Sequence, residues 1–148
     1  MLQEYARPTV QIDRILQMLL VHDIVEVDAG DVPIYDEPDR IAIVDAEERA
    51  ARRLFGLLPE PDASAHLALW REFEDAQTDD ARFARALDRL QPILVHWAGG
   101  GTVWRERRIT EHQERRILDL IYQYWPPLMS LAAALIDDAV ARGMLVAS

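Results

Sequence analysis

The chain has 148 residues, half of them apolar, with 16 basic and 26 acidic side chains, a net charge of −10 and no cysteine. That is enough chain for one domain, residues 1–148, with a buried core. The acidic balance, with no basic block, argues against sustained binding to a nucleic-acid polymer or an anionic membrane, and the lack of cysteine excludes disulfides and thiol catalysis.

Residues 1–8 carry no hydrophobic period and end in Arg7-Pro8. Thr9 is then the expected N-cap of a first helix from Val10 to about Asp28. Along it Ile12, Ile15, Leu16, Leu19 and Leu20 recur at three- and four-residue steps, the pattern of a helix buried on one side. The longest strictly apolar run there, Met18 to Val21, is too short for a signal peptide or a membrane span. The expected location is the cytoplasm.

The helix ends in VHDIVEVDAGD, Val21 to Asp31. His22 and Glu26 are four apart and project within about 40° of each other, with Asp23 one step round. Imidazole and carboxylate side by side are ligands for a divalent cation, and Glu26 one turn on is placed to handle a proton. The same dipeptide also describes a hydrogen-bonded surface pair without a metal. Gly30 closes the helix, and Pro33, Tyr35, Asp36, Pro38 and Asp39 mark a loop. Its acids lack the alternating ligands and terminal glutamate of an EF-hand, so a solvated loop is expected.

A second helix is expected from about Ile43 to Leu57, with Gly56 near its end. Arg49, Arg52 and Arg53 lie on its polar side, where salt bridges are the simpler reading and a phosphate contact is open to one of them. After Pro59 and Pro61, Asp62 or Ser64 caps a third helix through Phe73, packed through Leu67, Leu69, Trp70 and Phe73, with His66 exposed. A fourth helix starts at Thr78-Asp79 and repeats Phe83, Leu87, Leu90, Leu94 and Trp97 as its core stripe. Asp88 lies beside that stripe and on its own reads as an ion-pair partner of Arg85 or Arg89. Gly99, Gly100 and Gly101 lack the strand and the Gly-Lys-Ser/Thr of a phosphate loop and read as a helix stop and joint. Two more helices follow, about Thr110 to Tyr124 with an Arg-rich exposed face, then Leu128 to about Arg142, packed through Leu131, Leu135, Ile136 and Val140 and ended by Gly143.

HDxxExxxGD on an apolar helix resembles the HD-domain metal-dependent phosphohydrolases, in particular their 5′-deoxynucleotidase-like branch. EERAARRLFGLLP (Glu47 to Pro59), ARFARALDRLQPIL (Ala81 to Leu94) and the following GGGTVWRE keep the family's order. The resemblance implies an all-α helical bundle of about five to seven helices, with Trp104 and Arg105 near the pocket. It implies a divalent metal ion, Mn, Co or Mg, held by His22, Asp23 and Asp88, with Glu26 as the acid beside the metal and Asp31 as the carboxylate nearest the ester oxygen. The implied reaction is hydrolysis of a (deoxy)nucleoside 5′-monophosphate to nucleoside and phosphate.

Family members begin with an additional helical segment bearing the first histidine ligand in an Ala-Glu-His-Ser-type motif, and this sequence starts after it. His66, His96 and His112 occupy the wrong places in the matched order to replace that ligand. An N-terminally shortened bundle would leave an apolar face uncovered on the first helix, and a homodimer burying it is expected. The alternatives to a nucleotidase are a catalytically weak HD-fold protein that binds a nucleotide or a protein partner, and a hydrolase of another phosphate ester such as a guanosine alarmone.

Overall fold

A computed structural model describes residues 2–30 and 40–146 of the chain. The described residues are almost entirely helical, with one isolated parallel bridge between Thr110 and Val146 and no named strand. None of their helices is long and apolar enough to cross a membrane. The expected loop from Asp31 to Asp39 lies outside the described residues. The helices fall into two compact units, residues 11–84 and residues 85–148 together with 1–10.

The unit of residues 11–84 begins with α1, Ile12–Val21. Thr9 does not cap it: Gln11 is the N-cap, without a side-chain cap, and its amide donates to Asp80 Oδ1 at 2.8 Å. Ile15, Met18 and Val21 are the buried side of α1, whereas Leu16 and Leu20 are exposed. The expected single helix to Asp28 is broken into three pieces. After α1 comes a 3-10 turn, His22–Ile24, then one turn of α2, Glu26–Ala29, ended by Gly30. In the turn the Val25 amide reaches the His22 carbonyl three residues back, at 3.4 Å. This tighter winding carries Val25 to near-complete burial and leaves Ile24 and Val27 exposed.

The second expected helix is α3, Arg40–Phe55, with Ala50, Ala51 and Phe55 buried, and the third is α4, Asp62–Asp75, with Leu69, Trp70 and Phe73 buried. Leu67 is only half-buried, and neither Asp62 nor Ser64 caps α4; its N-cap is Pro61, and the Ser64 hydroxyl donates to Glu60 instead. Charged pairs tie the helices together. Arg14 on α1 pairs with Glu72 on α4, Arg71 on α4 with Glu48 on α3, and Arg53 on α3 with Asp28 on α2. The long α5, Asp79–Ala98, starts where Thr78 accepts the Ala81 amide at 3.2 Å.

From Arg85 onward α5 belongs to the other unit. Across the whole helix the fully buried positions are Ala81, Phe83, Ala84, Ala86, Leu90 and Ile93, while Leu87, Leu94 and Trp97 are half-buried. The expected stripe is therefore rotated, because small alanines allow close approach where leucines were expected to fill space. Gly100 and Gly101 then take left-handed backbone, and α6, Thr102–Glu106, carries the fully buried Trp104. A Cβ at Gly101 would stand 2.4 Å from Met144 Cβ, so only glycine fits.

The next helix, α7, Glu111–Tyr124, opens with a reciprocal capping box between Thr110 and Gln113. Pro126–Leu128 forms a 3-10 turn that leads into α8, Met129–Ala141. The buried face of α8 is Ala132, Leu135, Ile136 and Ala139, whereas Val140 is exposed and Leu131 half-buried. Arg115 on α7 donates to Asp137 on α8 at 2.7 Å. The N-terminal 3-10 turn, Leu2–Tyr5, is held by the Trp125 indole, which donates to the Tyr5 carbonyl at 2.9 Å. Trp125 also lies beneath the Arg7 guanidinium, 4.7 Å from it.

Candidate metal centre

His22 is the first residue of the 3-10 turn, and three contacts fix its ring. Its Nδ1 is 2.9 Å from the Leu19 carbonyl, one ring face rests against Phe73 with centroids 4.5 Å apart, and its Nε2 is 2.9 Å from Asp23 Oδ1. A carbonyl only accepts, so Nδ1 carries a hydrogen and the remaining chemistry falls to Nε2. The side chain of His22 is 11% exposed and that of Asp23 70%, so the imidazole is held by protein while its carboxylate neighbour faces water.

A neutral ring with its hydrogen on Nδ1 would set the Nε2 lone pair against a carboxylate oxygen. That contact needs a positive charge, either a proton on Nε2 or a cation ligated by both atoms. Two cis ligands at about 2.1 Å from a six-coordinate ion are about 3 Å apart, close to the observed separation. A backbone carbonyl on the far nitrogen is also the usual way a ligating imidazole is oriented. The His22–Asp23 pair fits a divalent ion.

The other expected site residues have different settings. Glu26 is half-buried on α2, and the 3-10 turn between it and His22 replaces the regular α-helical spacing expected from the sequence. Asp31 lies outside the described residues. Asp88 belongs to the α5 segment of the other unit, where its carboxylate is half-buried and 3.7 Å from Arg89 Nε. Among the described residues no three histidine, cysteine, aspartate or glutamate side chains stand together as a metal cage.

The other histidines have different surroundings. His66 is half-buried rather than exposed, with Nδ1 2.8 Å from the Asp62 carbonyl and its ring 6.1 Å from that of Phe55. Burial, then the charge of Arg107, pushes the His96 imidazole below its ordinary pKa, and its ring meets Trp104 edge-on at 5.5 Å. His112 is exposed. Trp104, expected near the pocket, is fully buried and donates its indole N–H to the buried Glu114 carboxylate.

Sequence reasoning missed Phe73 as the platform for His22. Its helical spacing marked it as core, and nothing in that spacing names the ring it meets. It also left Arg49, Arg52 and Arg53 of α3 undivided. Two of them are engaged: Arg52 pairs with Glu48 at 2.7 Å, and Arg53 holds Asp28 with two hydrogen bonds, one from Nη2 to Oδ1 at 2.7 Å. That pair draws the Asp28 carboxyl below its ordinary pKa.

Residues 1–123 match the model of the HD domain family, and the chain belongs to that family. Over nearly its whole length, 98%, it is similar to the crystal structure of a predicted metal-dependent phosphohydrolase from Magnetospirillum magnetotacticum, with 46% identity, a TM-score of 0.85 and 74% of that chain covered. Among curated proteins it is 35% identical over 82 residues to the 5′-deoxynucleotidase HDDC2 of Bos taurus and 33% identical over 82 residues to that of Homo sapiens. Each match covers 55% of this chain and 40% of the relative, so the chain spans about two-fifths of the length of these curated relatives. Family and structural neighbour together imply a divalent metal ion.

Proposed function

We propose that the chain is a single HD domain acting as a metal-dependent phosphohydrolase on (deoxy)nucleoside 5′-monophosphates, releasing nucleoside and phosphate in the cytoplasm. The observation that carries this reading is the His22–Asp23 contact: an imidazole oriented by the Leu19 carbonyl, with Nε2 2.9 Å from a solvent-facing carboxylate. The family match crosses both compact units, which supports treating them as one functional domain. The nucleotide class rests on the similarity to the HDDC2 5′-deoxynucleotidases.

In this reading His22, Asp23 and Asp88 hold the ion, which when bound supplies Lewis-acid polarisation of the phosphate ester and its attacking water. Mixed imidazole and carboxylate ligands are compatible with Mn²⁺, Co²⁺ or Mg²⁺. Leu19 and Phe73 keep the imidazole in one orientation, so that Nε2 is ready without a search over ring flips. Glu26 takes the proton released as water attacks, and Asp31 is assigned the proton that the leaving nucleoside requires. The test is metal analysis of the purified chain followed by phosphate release from a panel of ribo- and deoxyribonucleoside monophosphates. Asp88→Asn is expected to abolish release; unchanged turnover would remove Asp88 from the site.

One observation favours a second reading, a catalytically weak HD-fold protein that binds a nucleotide or a protein partner: no three ligand-type side chains are gathered among the described residues. Nucleotide binding without phosphate release in the same panel would select it, and release from a guanosine alarmone alone would select a different ester. The exposed Leu16, Leu20, Ile24 and Val27, 43–79% accessible, support a homodimer through this stripe. A monomer in dilute light scattering would remove the dimer, and Leu20→Glu should convert a dimer to monomer.

A further inference from the structure

Arg49, Arg52 and Arg53 of α3 lie within two turns of one another, yet they are employed differently. Arg52 is bonded to Glu48 one turn back, and Arg53 is clamped to Asp28. Arg49 has neither a hydrogen bond nor an ion pair among the described residues. The chain carries ten more acids than bases, so shortage of carboxylates is not the reason. Asp45 stands one turn before Arg49, at the same spacing that joins Glu48 to Arg52, and the two do not bond. Arg49 instead lines a cavity of about 280 Å³ with Asp28, Ala29, Ala46, Ala50 and Arg53.

The three alanines keep that cavity open, and its polar rim is two guanidinium groups and one carboxylate. Arg53 satisfies both oxygens of Asp28, which leaves the Arg49 charge uncompensated among the described residues. A guanidinium presents several N–H donors in a fixed fork matched to the oxygens of a phosphate. Asp28 comes six residues after His22, and that length of helical and 3-10 backbone spans about 9–12 Å. The cavity therefore lies one small-molecule length from the imidazole.

We propose that this cavity is a phosphate-binding subsite, in which Arg49 holds a phosphate group other than the one hydrolysed. The ligand chemistry is a tetrahedral phosphate on a small molecule. Its source is either a second phosphate on the substrate, as in a nucleoside 3′,5′-bisphosphate, or a separate phosphate compound. The placement relative to the reaction rests on the proposed hydrolase reading; the binding itself does not. An exposed arginine can be replaced with little effect on folding, so the variants report on the site.

Inorganic phosphate titrated into the full chain, followed by NMR, is expected to shift the backbone amides of Ala46 and Ala50 and the Arg49 Nε–H signal. Arg49→Ala should weaken that binding about tenfold, the value of one hydrogen bond to a charged group, and Arg49→Lys should restore part of it. Absence of these shifts in the unaltered chain, or equal affinity in Arg49→Ala, overturns the subsite. Turnover then assigns the source. A lower KM for a nucleoside 3′,5′-bisphosphate than for the 5′-monophosphate, lost in Arg49→Ala, makes it part of substrate recognition. Equal KM values with Arg49-dependent phosphate binding assign the subsite to a separate ligand. Phosphate bound through Arg49 by a chain that releases none from any nucleotide would overturn the hydrolase reading and keep the subsite.

Discussion

The two compact units are held by different chemistry. In residues 11–84 the helices are bridged by arginine–carboxylate pairs, Arg14 with Glu72, Arg71 with Glu48 and Arg53 with Asp28, while Leu16, Leu20 and Val27 of α1 and α2 remain in water. In the unit that ends at α8 the organising groups are tryptophans whose indole N–H groups find oxygen: Trp104 on Glu114, Trp125 on the Tyr5 carbonyl and Trp97 on Asp138. Exposed ion pairs contribute little each and are screened by salt. Buried aromatics contribute several kcal/mol and are insensitive to it. Phe55, Trp70 and Phe73 are buried in the unit bearing His22 as well, so what sets that unit apart is the salt-sensitive ion pairs that bridge its helices beyond the apolar core.

The contrast breaks most severely at Trp104. Trp104→Ala removes a fully buried ring and the donor to Glu114, and is expected to destabilise by about 3–5 kcal/mol. Urea unfolding measures it, and a loss under 1 kcal/mol would mean that the aromatic core is not the anchor. Gly101→Ala comes next. Left-handed backbone at φ 74° alone costs about 1–2 kcal/mol in a residue with a Cβ, and the contact with Met144 adds to it. A melting temperature within a degree of the unaltered chain would contradict this.

Acid separates the units more gently. His96 has a lowered pKa in the folded chain, from burial first and Arg107 second, so below its ordinary value of 6.5 the unfolded chain takes up a proton that the folded chain refuses. Stability contributed by neutral His96 is complete above pH 6.5 and declines as pH falls toward the lowered folded value. Glu48 is held low first by the Arg71 hydrogen bond. In Glu72 burial pushes upward, but hydrogen bonds from Arg14 and Thr78 and the charge of Arg14 outweigh it. Their contribution is present above the ordinary glutamate value of 4.5 and is lost as pH falls through the lowered values.

Amide exchange should thus show the tryptophan unit loosening first below pH 6.5 and the unit of ion pairs only below pH 4.5. His96→Gln should remove the earlier phase. Loosening of both units together at pH 4 would discard the assignment.

Much of the helical order was legible because the signals are local. Thr110 with Gln113 is a capping box that needs no tertiary knowledge, and Pro126-Pro127 stops α7 wherever it packs. Which side of a helix is buried was less legible. In α1 the apolar residues nearly encircle the helix, so Leu16 and Leu20 looked equivalent to Ile15 while the buried Met18 was left out, and only packing distinguishes them. The same holds for Leu87 against Ala86 on α5. At the candidate site the His22–Asp23 pair was readable as adjacent ligands, but the carbonyl behind the ring and Phe73 beneath it depend on a partner chosen by the fold. Arg49 stood out only after its neighbours were seen to be engaged.

The 3-10 turn at His22–Ile24 has a further consequence for mutational scanning. Each of its residues turns by about 120° rather than 100°, so the three together advance the chain by about 60° beyond an uninterrupted α-helix. Damage plotted along residues 12–29 should follow a helical wave up to Val21, skip phase, and resume out of step at Val25. Inserting or deleting one residue on either side of His22 would move that skip and re-aim the imidazole relative to Glu26, even with every side chain retained.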